Sequence, residues 1–166
     1  MAELPFERAL EILAGTPSVL RTVVDNLPPS VRDQRPVEEA WSPSEVLAHL
    51  LHSETKVMAP RIRRAAREDR AALDPAPEQA PPGDVEQMLD AWSAARTANL
   101  EWLRAVTPEE RRHVVVHPRF GEISVDTYIA EWAYHDLDHI RQILGALSAE
   151  LYSHIGTFQS LYAPPS

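Results

Sequence analysis

The placement of proline constrains this chain more than any other feature. Many of its 15 prolines fall in groups: Pro28-Pro29, Pro36, Pro75, Pro77, Pro81-Pro82 and Pro164-Pro165. A proline lacks a backbone donor and clashes with the preceding helical turn, so these groups separate elements. The runs between them are rich in Ala, Leu, Glu and Arg, which favour helix. Alternating apolar and polar stretches, the mark of a half-buried strand, are nearly absent. The exception is Val114-Val115-Val116, which reads as one extended strand or a loop. The expected fold class is therefore all-α, with no convincing sheet.

Four main helices can be placed. Over residues 5–27, Phe6, Leu10 and Leu13 form one apolar stripe, and Val19, Leu20, Val23, Val24 and Leu27 form another. Thr16-Pro17 lies between them. A Thr N-cap before a Pro is a helix-start signal, so a short helix, a break near Gly15 and a longer helix are expected. The second region opens with Ser42-Pro43-Ser44-Glu45, a capping box with Pro at the first helical position. Trp41 and Val46 can staple that end. Pro60 is expected to kink the helix before the cationic run Arg61, Arg63, Arg64 and Arg67, which suits a helix C-terminus and a solvated face. Residues 74–83 form a loop. Asp84 with Gln87 caps the third helix, which carries Val85, Met88, Leu89, Trp92 and Leu103. Thr107-Pro108-Glu109-Glu110 begins a short turn. Ser124 caps the last helix, predicted over about 125–147 with its end near Gly145 or just beyond. Neither half of the chain has enough helices to bury its own apolar faces, so residues 1–166 are expected to form one helix-bundle domain.

Composition narrows the function. Apolar residues at 44% and charged residues at 25% describe an ordinary globular protein. Sixteen basic against 25 acidic residues give 16 − 25 = −9, a poor match to a nucleic-acid backbone. There is no cysteine, which removes disulfides, thiolate nucleophiles and Cys-ligated metals. Met1-Ala2-Glu3-Leu4 lacks the start of a signal peptide, and no run approaches the roughly 18 apolar residues of a membrane span. A cytoplasmic protein with neither membrane nor nucleic-acid partners is expected.

Seven histidines are left as the source of chemistry. The core stripe of the last helix reads Val125, Tyr128, Trp132, His135, His139, Gln142 and Ala146, in steps of three and four. His135 and His139 are offset by about 40° around the helix axis and about 6 Å along it. Both rings can therefore reach one point, and a metal ion is the ordinary reason for that geometry. Two ligands do not hold a metal. The candidates for a third are His49, His52, His113, His117 and His154. Periodicity favours His49 mildly, since it stands just past the edge of its helix's apolar stripe while His52 lies further out.

Trp41-Ser42-Pro43-Ser44-Glu45-Val46-Leu47-Ala48-His49-Leu50, followed by Ser53-Glu54, resembles the second-helix signature of the DinB-like superfamily. Tyr134-His135-Asp136-Leu137-Asp138-His139-Ile140-Arg141-Gln142-Ile143 resembles its last-helix signature, and the connector His117–Ser124 also fits. The resemblance covers nearly the whole chain. It implies an up–up–down–down style four-helix bundle whose metal ligands are His49, His135 and His139, and a homodimer. The superfamily includes thiol-dependent S-transferases and maleylpyruvate isomerases. The resemblance thus points to a transferase using a small thiol and a small electrophile, with a metal-dependent hydrolase or a non-catalytic metal-binding stress module as alternatives.

Three neutral imidazoles leave a divalent ion with two net charges and an open position, the pattern of a catalytic site. Zn²⁺ suits these ligands best, with Ni²⁺ and Fe²⁺ as alternatives. Glu131, Asp136, Asp138 and Glu45 are candidates to orient the rings. Glu45 already has a capping role, and a solvated surface acid is the favoured reading of the others. His113 and His117, which flank the Val-rich connector, are read as loop residues, with the mouth of the site as the alternative. No residue is assigned a catalytic role beyond the ligands. His-Glu-x-x-His is absent, which disfavours a zincin protease, and Glu-x-x-x-His is one residue too long for a di-iron bundle.

Overall fold

The computed structural model describes residues 5–164. Its main elements are α1 (Phe6–Asp25), α2 (Pro29–Arg32), α3 (Pro43–His52), a wide π-helical turn (Ser53–Met58), α4 (Ala59–Arg67), α5 (Val85–Arg104) and α6 (Val125–Tyr152). Helix α3, the π turn and α4 run on without a gap, so there are four long rods, as a four-helix bundle requires.

Two groups of buried side chains fix the direction of each rod. One contains Ala9, Leu13, Ile62, Ala65, Leu100, Leu103, Ile129 and Trp132. The other contains Leu20, Val24, Val46, Leu50, Leu89, Trp92, Ile140 and Ile143. The first and fourth rods run from the first group to the second, and the second and third run the opposite way. The order is up–down–down–up, which corrects the up–up–down–down arrangement that the resemblance implied. Rods one and two both pack on rods three and four, so one and two stand on a diagonal. Local helix signals cannot encode this choice. It depends on which connections cross the ends of the bundle.

The segment between the second and third rods has to return along the bundle. Residues 73–84 do so without regular structure, laid against the second rod as an extended strap. The Asp74 carbonyl accepts from Arg61 at 2.9 Å, and the Asp74 carboxylate accepts from Arg64 at 2.8 Å. Gln79 reaches His49 at 2.9 Å. At about 3.3 Å per residue, a dozen extended residues span a 20-residue helix of about 30 Å. The strap's prolines hold it extended and bring no N–H groups that need partners.

Four expectations change. Helix α1 is continuous through Gly15 and Pro17, with no break. Pro17 cannot donate to the Leu13 carbonyl, but Arg96 Nη1 donates to that oxygen at 3.0 Å and the Thr16 hydroxyl lies 3.2 Å from it. A tertiary contact thus meets the need that was expected to break the helix. Helix α6 passes through Gly145 to Tyr152. A mid-helix glycine costs only about 1 kcal/mol, and the buried Ile143 and Ala146 on either side hold the turn in place.

A small sheet is also present. β1 (Ala71–Ala72) pairs in parallel with β2 (Val114–His117), which pairs with β3 (Gly121–Ser124) in an antiparallel hairpin. Val115 is fully buried, and Gly121 takes the positive φ of 74° that the turn needs. Finally, where Pro60 was expected to kink the helix, a wide turn at Ser53–Met58 ends two residues before that proline. In a regular α-helix Glu54 would stand about 140° around from His49; the wider turn reduces that angle and helps bring Glu54 into the core.

The capping signals read as expected. Ser42 Oγ accepts from the Glu45 N–H and Glu45 Oε2 from the Ser42 N–H. Asp84 and Ser124 cap α5 and α6. No helix among the described residues is long and apolar enough to cross a membrane.

Candidate metal centre

The capping box fixes where α3 begins, and so places His49 two turns into the second rod. Helix α6 supplies His135 and His139 from the rod packed beside it. One ring nitrogen from each histidine lies within 4.8 Å of the other two. His49 Nε2 is 3.2 Å from His135 Nε2, and the ring centroids are 4.3–5.2 Å apart.

The donor set fits a divalent ion. Gln79 Oε1 accepts from His49 Nδ1 at 2.9 Å, and Gln142 Oε1 accepts from His139 Nδ1 at 3.0 Å. A proton held on Nδ1 leaves Nε2 with a free lone pair, the form that ligates metals. His49 Nε2 and His135 Nε2, 3.2 Å apart, are close enough to share one proton or to flank one cation. Tetrahedral bonds of about 2.05 Å would set neighbouring nitrogens about 3.3 Å apart. Ser53 Oγ also lies 3.3 Å from His49 Nε2. Burial and the neighbouring imidazoles push the His135 pKa down to about 3, and burial lowers His139 as well. Both rings are therefore neutral at physiological pH. His135 Nδ1 is buried with no hydrogen-bond partner among the described residues.

Trp41 forms one wall. Its ring lies 4.9 Å from that of His49 and stacks at 12° to that of His139, 6.2 Å away. It had been expected as a staple against Val46. A cavity of about 400 Å³ opens beside His139, lined by Pro36, Glu39, Ala40, Trp41, Arg141, Gln142 and Ala146.

The remaining histidines are elsewhere. Burial lowers the pKa of His52, and its ring faces the Pro77 backbone of the strap. His113 Nδ1 faces the carbonyls of Ala65 and Ala66 at 3.2 and 3.0 Å and caps α4. His117 Nδ1 accepts from the Arg119 and Phe120 N–H groups in the hairpin turn. His154 is exposed.

The acids differ from the sequence expectation. Glu131 is exposed, as expected. Asp136 is buried, which corrects its reading as a solvated acid. It bonds Arg96 Nη1 at 2.6 Å, and Arg96 bonds Glu54 through Nη2 at 2.7 Å. All three side chains are almost wholly inaccessible. The Thr16 hydroxyl, Asn99 Nδ2 and Trp132 Nε1 complete the network, and Arg96 lies over the rings of Trp92 and Trp132. Arg96 was not singled out in the sequence, because an arginine on a helix ordinarily reads as solvated. Its place four residues after Trp92, on the same apolar face, was the available signal.

A family model described as the DinB superfamily matches residues 12–143. Among solved structures the chain is similar to YfiT from Bacillus subtilis, described as a probable metal-dependent hydrolase with an unusual four-helix bundle topology. The TM-score is 0.81 and the identity 18%, over 90% of each chain. It is similar to TT2238, a four-helix bundle protein, with a TM-score of 0.66 and 23% identity over 84% of this chain and 98% of that one. It is also similar to the mycothiol-dependent maleylpyruvate isomerase, with a TM-score of 0.54 and 16% identity over 92% and 72%. At these identities the likeness establishes the fold. No curated protein matches the sequence.

Proposed function

The chain belongs to the DinB superfamily, and we propose that it is a metal-dependent enzyme that transfers a small thiol to a small electrophile. A divalent ion in this site would supply Lewis acidity, lowering the pKa of a thiol so that it serves as nucleophile at neutral pH. His49, His135 and His139 hold the ion. Gln79 and Gln142 orient two of the three rings, and Trp41 shields them on one side.

One observation carries the choice of thiol chemistry: among the described residues no carboxylate is hydrogen-bonded to any of the three rings. Asp136 and Glu54 are engaged by Arg96, Asp138 pairs with Arg141, and Glu45 is bound by Arg35 and the Ser42 N–H. Hydrolysis gains from a positioned general base. A thiol with an ordinary pKa of about 8.5 needs much less help. The hydrolase reading keeps some support from Glu39, which lines the adjoining cavity, and from the description of YfiT.

The test incubates metal-loaded protein with low-molecular-weight thiols and an alkylating electrophile and follows the conjugate. Metal-dependent conjugation is expected. Ester or amide cleavage without added thiol would favour the hydrolase, and no turnover of either kind would leave a metal-binding module.

A further inference from the structure

The cavity beside His139 presents two opposite charges that do not neutralise each other. Arg141 uses Nε and Nη2 on Asp138 Oδ1, at 3.2 and 2.9 Å. Its Nη1 has no protein acceptor among the described residues. Glu39 is exposed and lacks a cationic partner among those residues. The two line the same cavity of about 400 Å³, yet no ion pair within 4 Å joins them. The same cavity is lined by Trp41, Ala40 and Ala146, which offer apolar contact, and by Gln142, which holds His139.

A pocket of this kind fixes its ligand with a few convergent polar groups on an apolar surface. The Arg141 guanidinium suits a carboxylate, which it can fork. The Glu39 carboxylate suits an ammonium and repels a second anionic group. We propose that this cavity binds a small zwitterionic molecule, an amino-carboxylate, with its carboxylate at Arg141, its ammonium at Glu39 and its body against Trp41. The inference rests on the proposed enzymatic reading of the histidine site and names the substrate class that site would take. The ligand's reacting group would then lie beside His139.

The experiment titrates the metal-loaded protein with ω-amino-carboxylates from glycine to 6-aminohexanoate, and with butyrate and butylamine. Binding is followed by calorimetry and by tryptophan fluorescence. At least one zwitterion is expected to bind about tenfold more tightly than either singly charged compound. Arg141→Ala should lose about tenfold in affinity for that zwitterion while keeping its metal. Glu39→Gln should reduce the zwitterion to the affinity of butyrate. The inference is overturned if no zwitterion surpasses butyrate and butylamine, or if either variant binds as the wild type does. Metal analysis of the same samples separates the two ideas. Absence of metal from the wild type removes the histidine reading, whereas full metal without charge-selective binding removes only this inference.

Discussion

Replacing Arg96 by methionine tests the physical centre of the bundle. Methionine approximates the length of the arginine stem but leaves Glu54 and Asp136 buried without their cation. The wild-type guanidinium contacts both carboxylates, the Leu13 carbonyl and the Thr16 hydroxyl, with Trp92 and Trp132 against its faces. Breaking a buried ion pair from one side costs about 3–5 kcal/mol. A whole domain is stable by only about 5–15 kcal/mol. Arg96→Met should therefore lose about a fifth or more of the stability of the metal-free protein, measured by urea unfolding with far-ultraviolet circular dichroism. Adding Glu54→Gln and Asp136→Asn removes the stranded charges, and the triple variant should recover about 1–2 kcal/mol relative to the single one. The reasoning fails if Arg96→Met costs less than about 1 kcal/mol, or if the triple variant is less stable than the single one. A change in denaturant slope would show that the variant no longer unfolds in two states.

Other outcomes test the site. His135→Ala and His49→Ala should each abolish tight metal binding with helix content retained, whereas His52→Ala should keep the metal and loosen the strap; metal analysis with circular dichroism checks both. Gln79→Ala and Gln142→Ala should each weaken metal affinity by about 10–100-fold, read by chelator competition. The metal-free protein should lose stability as pH falls. The folded His135 pKa is about 3, below the ordinary histidine value, so the unfolded chain binds more protons between those pH values. The stabilisation is complete above about pH 7 and declines as pH falls towards 3. His135→Gln should flatten that part of the profile, and urea melts at pH 7, 6 and 5 compared between the two proteins check it.

Much of the architecture was legible because helix starts are chemically local. Ser42 with Glu45, Asp84 with Gln87, and Ser124 each satisfy orphan N–H groups within three residues, so the signal lies within one turn. The spacing of His135 and His139 was legible for the same reason. What stayed hidden depended on distant partners. The break expected at Thr16-Pro17 is absent because Arg96, 83 residues away from Leu13, serves the orphaned carbonyl. Asp136 looked solvated because its partner lies on another helix. β1 is only Ala71-Ala72, which has no strand signature and exists because Val115 and Val116 pair with it. Gln79 sits in a proline-rich loop, and only the return path of the strap brings it to His49.

The buried network also supplies a reason for the choice of topology. Every rod contributes: Thr16 from the first, Glu54 from the second, Arg96 and Asn99 from the third, Trp132 and Asp136 from the fourth. Apolar packing alone discriminates weakly between bundle registers, because leucine-rich faces are interchangeable. A sliding second, third or fourth rod would strand at least one charge of this set in the core, at a cost of several kcal/mol. Asp136 adjoins His135 in the chain. Asp136 also lies close enough to the His139 ring to favour positive charge there, and it does so without offering a ligand oxygen. If this is its role, Asp136→Asn should weaken metal binding while leaving the ligands' geometry unchanged in the cobalt absorption spectrum. Unaltered metal affinity in that variant would restrict the network to holding the four rods in register.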